Sequence, residues 1–113
     1  MLQTKVSFEA KSKINTFLGE KGEDLLKREV NLILDIALKN ELPLDKITIG
    51  VERDAEIKSW KYVLAKLAFS STFDEADTFF KLICSQIDAF ESTLDAESKA
   101  GLLDKLYYVF ETV

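Results

Sequence analysis

Two neighbouring segments decide the fold: ITIGVE (residues 47–52) and WKYVLAKLAF (residues 60–69). In the first, Ile47, Ile49 and Val51 alternate with small or polar residues, which is the pattern of a half-buried β-strand. The second segment repeats this period of two, and a polar connection separates the pair. The two segments therefore predict a β-hairpin over residues 47–69.

The second strand of this hairpin is partly apolar on both faces. One face carries the apolar series that ends at Phe69. The other carries Trp60, Tyr62 and Leu64, and is interrupted by Lys66. A strand face that stays apolar away from the core indicates contact with another protein surface. We therefore predict that Trp60, Tyr62 and Leu64 belong to an interface.

Residues 23–40 predict a helix, because Leu, Lys, Glu and Ala dominate the segment and its length suits one. Its middle is apolar apart from two polar residues, Asn31 and Asp35. A helix that is apolar around most of its circumference must be buried on several sides. In so small a domain this means a central helix or one that also packs against a second subunit, and we predict that Leu32 and Ile36 make that subunit contact.

The N-terminal part predicts a short strand near residues 4–8 and a helix over about residues 9–18. Gly19 and Gly22 bracket two charged residues. This spacing suits the end of one helix, a turn and the start of the next.

The order strand, helix, G-x-x-G, helix, hairpin, helix over residues 4–93 is similar to the KH class of RNA-binding domains. The resemblance implies that the Gly19–Gly22 loop clamps a nucleic-acid backbone. Glu20 within this loop would face the phosphates, and no basic surface accompanies it. The residues themselves therefore predict that the protein has no nucleic-acid partner.

A further helix is predicted from Thr72, because Glu75 three residues later completes a capping box. A last helix is predicted from about Asp95, since Leu103, Leu106, Phe110 and other apolar residues recur at helical spacing. Together these elements predict a single α+β domain over residues 1–113. Its small antiparallel sheet is centred on the 47–69 hairpin and packed by three or four helices.

Charge is unevenly distributed along the chain, whose formal net charge is −5. Residues 74–97 hold seven carboxylates against a single lysine. Such a surface favours a basic partner, or is simply solvated. Asp77, Asp88 and Glu91 are the candidate residues of this acidic 74–97 face.

The absence of histidine excludes the common catalytic constellations. Neither a Ser-His or Cys-His pair nor a His-built metal site is available. The single cysteine, Cys84, excludes an internal disulfide, as is typical of a reducing compartment. No signal peptide or membrane-spanning apolar run is evident. We therefore expect a cytoplasmic protein that is not an enzyme and has no catalytic residues, metal, cofactor, small-molecule substrate or membrane association.

The leading expectation is a small, soluble, non-enzymatic interaction protein that acts as a homodimer or in a protein complex. Two alternatives remain open. One is an acidic inhibitor or adaptor that binds a basic site through the 74–97 face. The other is a KH-like RNA-binding domain that uses the Gly19–Gly22 loop.

Overall fold

The computed structural model describes residues 4–9, 11–53, 56, 61–95 and 105–113. Its elements, in chain order, are β1 (Lys5–Phe8), α1 (Lys11–Lys39), β2 (Leu44–Arg53), β3 (Lys61–Phe69), α2 (Phe73–Glu91) and β4 (Leu106–Thr112). The strands form one four-stranded sheet in the order β1-β2-β3-β4. The expected mixture of helix and strand is confirmed.

The central pair of strands forms the predicted hairpin. β2 and β3 are antiparallel, with Ile47 opposite Leu67 and Ile49 opposite Ala65. The outer pairs, β1–β2 and β3–β4, are parallel. The prediction of an antiparallel sheet is therefore wrong at both edges. A helix joins each outer strand to its neighbour, and such a crossover lets the chain return in the same direction.

The predicted C-terminal helix is wrong where the structure describes it, because residues 106–112 form β4. Leu106, Tyr108 and Phe110 face the helices and recur with a period of two. The aromatic and β-branched residues of this segment also favour a strand. β4 then pairs with the open edge of β3, with Val63 opposite Leu106 and Leu67 opposite Phe110. Residues 96–104, where this helix was also expected, lie outside the described residues.

The structure contains two helices in its described part, rather than three or four. The two predicted N-terminal helices are segments of α1, which kinks at Gly19 (φ 73°, ψ 177°). The predicted Gly19–Gly22 loop is therefore absent, since residues 20–22 are helical and Gly22 is buried. α2 begins as predicted: the backbone N–H of Glu75 donates to Oγ1 of Thr72 over 3.3 Å.

We expect Gly19→Ala to destabilise the protein by about 1–3 kcal/mol, because its backbone lies in a region that essentially only glycine adopts. A Cβ at this position would meet nothing within 4 Å, so the effect is conformational rather than steric. Chemical denaturation followed by circular dichroism measures it. If the variant and the wild type had the same free energy of unfolding, α1 of the variant would have lost its kink without destabilising the fold.

The core lies between one face of the sheet and the two helices. Phe69 on β3 packs against Phe79 of α2, with ring centroids 5.9 Å apart. Phe110 on β4 packs against Phe80 of α2 at 4.9 Å. The largest fully buried apolar side chains are Ile14, Leu26, Ile33, Leu44, Ile47, Ile49, Val63, Leu67, Phe69 and Ile83.

The two crossovers differ in hand. In both units, β1-α1-β2 and β3-α2-β4, the chain moves to the next strand in the same direction across the sheet. The two strands of the first unit, however, run opposite to the two strands of the second. Both helices nevertheless lie on one face, where Tyr108 of β4 contacts α1 and Phe110 contacts α2. One of the two crossovers is therefore left-handed, against the usual preference. This arrangement leaves the opposite face of the sheet free of described helices.

Candidate functional site

The face of the sheet opposite α1 and α2, called the open face below, is the first candidate site. Its residues alternate with the core residues along each strand, and no described helix covers them. They are Lys5 and Ser7 on β1; Lys46, Thr48, Gly50 and Glu52 on β2; Tyr62, Leu64, Lys66 and Ala68 on β3; and Tyr107, Val109 and Glu111 on β4.

The apolar part of the open face is concentrated on β3 and β4. Tyr62 and Leu64 are half-buried, whereas Tyr107 is 42% exposed and Val109 39% exposed. Leu64 lies opposite Tyr107 in the sheet. The rings of Tyr62 and Tyr107 meet edge to face, with centroids 5.5 Å apart. Such a cluster of aromatic and aliphatic side chains on a solvent-facing sheet is typical of an interaction surface.

Small and charged residues complete the open face. Gly50 and Ala68 are buried although they lie on it. The carboxylate of Glu9 lies above Gly50, so a Cβ at that glycine would be 3.3 Å from Oε2 of Glu9. Lys46 and Glu52 are exposed towards opposite ends of β2.

The structure brings together only part of the predicted interface. Tyr62 and Leu64 share the open face, as predicted from the alternation of β3. Leu32 is half-buried against the core from the other side of the sheet. Ile36 is 7% exposed and belongs to the core, so the prediction that it contacts a partner is corrected: α1 turns this side chain towards its own sheet. Trp60 lies outside the described residues.

Sequence reasoning missed Tyr107 and Val109, because the C-terminal segment was assigned to a helix. The signal that could have found them is the alternation of a strand: Tyr107 and Val109 lie on one face, and Tyr108 between them lies on the other.

The acidic 74–97 face is not uniformly available to a basic partner. Asp77 forms an ion pair with Lys81, its Oδ2 lying 2.8 Å from Nζ. Asp88 is exposed, but Glu91 is half-buried and interacts electrostatically with a buried carboxyl on α1, Glu29. Its residues 96 and 97 lie outside the described part of the chain.

Glu29 is the second feature that the sequence analysis missed. Its side chain is 0% exposed and lies between α1, α2 and β4. Oε1 accepts a 2.7 Å hydrogen bond from the hydroxyl of Tyr108, while Oε2 has no hydrogen-bond partner. The available signal was its position on the buried face of α1, one helical turn from Leu25 and from Ile33.

Burial raises the pKa of Glu29 from an ordinary value of 4.5 to about 7. The hydrogen bond from Tyr108 opposes this rise, and the negative charges of Glu91 and Asp88 add to it. Burial, reinforced by the charge on Glu29, also raises the pKa of Tyr108 well above 10. A carboxyl that titrates near neutrality suits acid–base chemistry, but a substrate cannot reach a fully buried side chain. The pair therefore makes the stability of the fold depend on pH.

Cys84 of α2 lies near this cluster. Burial, together with the charge of Asp88, raises the pKa of its thiol to about 11. The thiol is thus protonated at neutral pH and is a poor nucleophile.

An apolar groove of about 290 Å³ opens on the helix side of edge strand β1. Val6 and Phe8 of β1 form one wall, and Leu26, Val30 and Leu34 of α1 form the other. The groove exists because β1 is short and leaves the flank of the core half-covered.

Within the described residues, no three His, Cys, Asp or Glu side chains lie close enough together to hold a metal ion. None of the helices in the same part of the chain is long and apolar enough to cross a membrane. Comparison with protein-family models, with curated proteins and with solved structures gives no match to this chain.

Proposed function

We propose that this protein is a non-enzymatic interaction protein that works by associating with another protein chain through its open face. The observation that carries the proposal is the apolar cluster of Tyr62, Leu64, Tyr107 and Val109 on that face. Burying such a cluster against a partner removes it from water, which favours association by about 25 cal/mol for each Å² of apolar surface.

The other two functions considered from the sequence gain no support. A KH-like domain would need an exposed glycine loop, whereas Gly19 forms a kink and Gly22 is buried within α1. An acidic inhibitor would need several available carboxylates together, whereas Asp77 is paired with Lys81 and Glu91 lies beside Glu29. Of the three candidates, this leaves Asp88 as an exposed carboxylate.

If the protein associates with a partner, it should elute from gel filtration of a native cell extract at an apparent mass well above the 12.8 kDa of one chain. Immunodetection of the untagged protein across the fractions measures this. The same protein unfolded in denaturant and run in that solvent provides the monomer reference. Elution of the native protein at the monomer position, in undiluted extract, would contradict the proposed function.

A further inference from the structure

The proposed function leaves the partner unnamed. Resting on that proposal, we infer that the partner is a second copy of this chain, stacked open face to open face about a two-fold axis that runs across the strands. The axis passes over the row formed by Ile49, Ala65 and Tyr108, which are neighbours in register on β2, β3 and β4.

Register determines which residues this axis brings together. Each strand lies over the same strand of the second copy, which runs in the opposite direction. A residue that lies a given number of positions before the central row therefore faces the residue that lies the same number of positions after it. Tyr107 therefore faces Val109 of the second copy, which places apolar surface on apolar surface. Tyr62 lies over Ala68, a small residue that is 4% exposed in its own chain and offers the ring little contact.

The same two-fold axis also brings opposite charges together. Lys46 and Glu52 are each three residues from Ile49 on β2, or about 10 Å along the strand. Each Lys46 therefore faces Glu52 of the second copy, and the symmetry forms this contact twice. Packed sheets lie about 10 Å apart, a gap that these two long side chains can bridge from opposite sides.

Among the residues that the structure describes, Lys66 is the one cation in the centre of the open face, and it faces Leu64 of the second copy. Its aliphatic stem can cover that leucine while the ammonium group extends to water. The cation therefore lowers the strength of the interface without preventing it.

The other two-fold axis in the plane of the face runs parallel to the strands and fits less well. It would place β4 of one copy over β1 of the other. By register, Val109 would then lie over Ser7, and Tyr107 over Glu9 just beyond β1. Lys5 would lie over Glu111. That arrangement pairs opposite charges but places the apolar side chains of β4 on polar residues. Stacking across the strands pairs Lys46 with Glu52 and also places Tyr107 on Val109, so the geometry favours it.

Charge reversal on β2 tests the inference with purified protein. We expect sedimentation equilibrium of the wild type to give a monomer–dimer equilibrium. Lys46→Glu and Glu52→Lys should each weaken dimerisation about tenfold, because each creates two like-charge contacts. The double variant K46E/E52K should restore the wild-type dissociation constant. High salt should reduce the effect of either single variant.

Asp35→Lys provides the matched control, since it changes the net charge as Glu52→Lys does but lies on the exposed side of α1. It should leave dimerisation unchanged. A dimer that is insensitive to both single reversals would overturn the face-to-face geometry, as expected if the copies join through an edge strand instead. A purified chain that stays monomeric, while the protein in extract is part of a larger complex, would overturn the second copy as partner and leave the proposed function intact.

Discussion

The free energy of unfolding should fall by about 3 kcal/mol as the pH rises from about 4.5 to above 7, because Glu29 is stabilised in its protonated form. Its pKa is 4.5 when exposed and about 7 when folded. Between these values the folded state binds more protons than the unfolded state, so stability decreases with rising pH. The contribution is fully present below pH 4.5 and is lost as the pH passes through 7.

Glu29→Gln should remove this pH dependence. The glutamine is nearly isosteric, stays neutral at every pH, and can still accept the hydrogen bond from Tyr108. Its amide group can donate to Glu91, the carboxylate beside it. We therefore expect the variant to be more stable than the wild type by about 1–3 kcal/mol at pH 8 and of similar stability at pH 4.5.

Urea denaturation at a series of pH values measures both effects. Glu20→Gln is the matched control, because it makes the same chemical change at an exposed position of α1 and should leave the wild-type pH profile unchanged. If Glu29→Gln also retained the wild-type profile, the buried carboxyl would not be the group that titrates.

The parts of the fold that sequence reasoning predicted are those set by local patterns. The alternation across Ile47–Val51 and again up to Phe69 has only one good interpretation, since a strand needs nothing beyond its own period of two. The capping box of Thr72 and Glu75 is likewise a contact between residues three apart.

Local patterns alone could not predict that the C-terminal segment is a strand. Leu106 and Phe110 are four residues apart, which suits a helix. Tyr108 between them extends the same apolar face with the period of a strand. Both interpretations fit the segment in isolation. Pairing with β3 decides between them, and β3 is about forty residues away in the chain.

The missed features of the candidate sites have the same origin. Tyr107 and Val109 join Leu64 only because β4 pairs with β3. Glu29 is tolerated in the core because Tyr108, a residue 79 positions away, donates to it. A charged residue on the apolar side of a predicted helix is therefore worth examining as a buried group, even where its partner cannot be identified.

Leu64→Lys should abolish association through the open face. In the isolated chain this side chain is half-buried, so the ammonium group of the lysine reaches water there and the fold tolerates it. In the inferred dimer it would face Lys66 of the second copy, and the symmetry would form this like-charge contact twice, at a cost of several kcal/mol. Each 1.4 kcal/mol is a factor of ten in affinity, so we expect at least a hundredfold weaker association.

Leu38→Lys is the control for this variant. It introduces the same charge at a leucine that is 64% exposed near the end of α1, on the opposite side of the sheet from the open face. It should leave the associated mass unchanged. Gel filtration in extract and sedimentation of the purified proteins report association, and thermal melting checks that both variants fold. A folded Leu64→Lys variant that associates as strongly as Leu38→Lys would remove the open face as the contact surface, because two facing lysines at the centre of that face cannot be without effect.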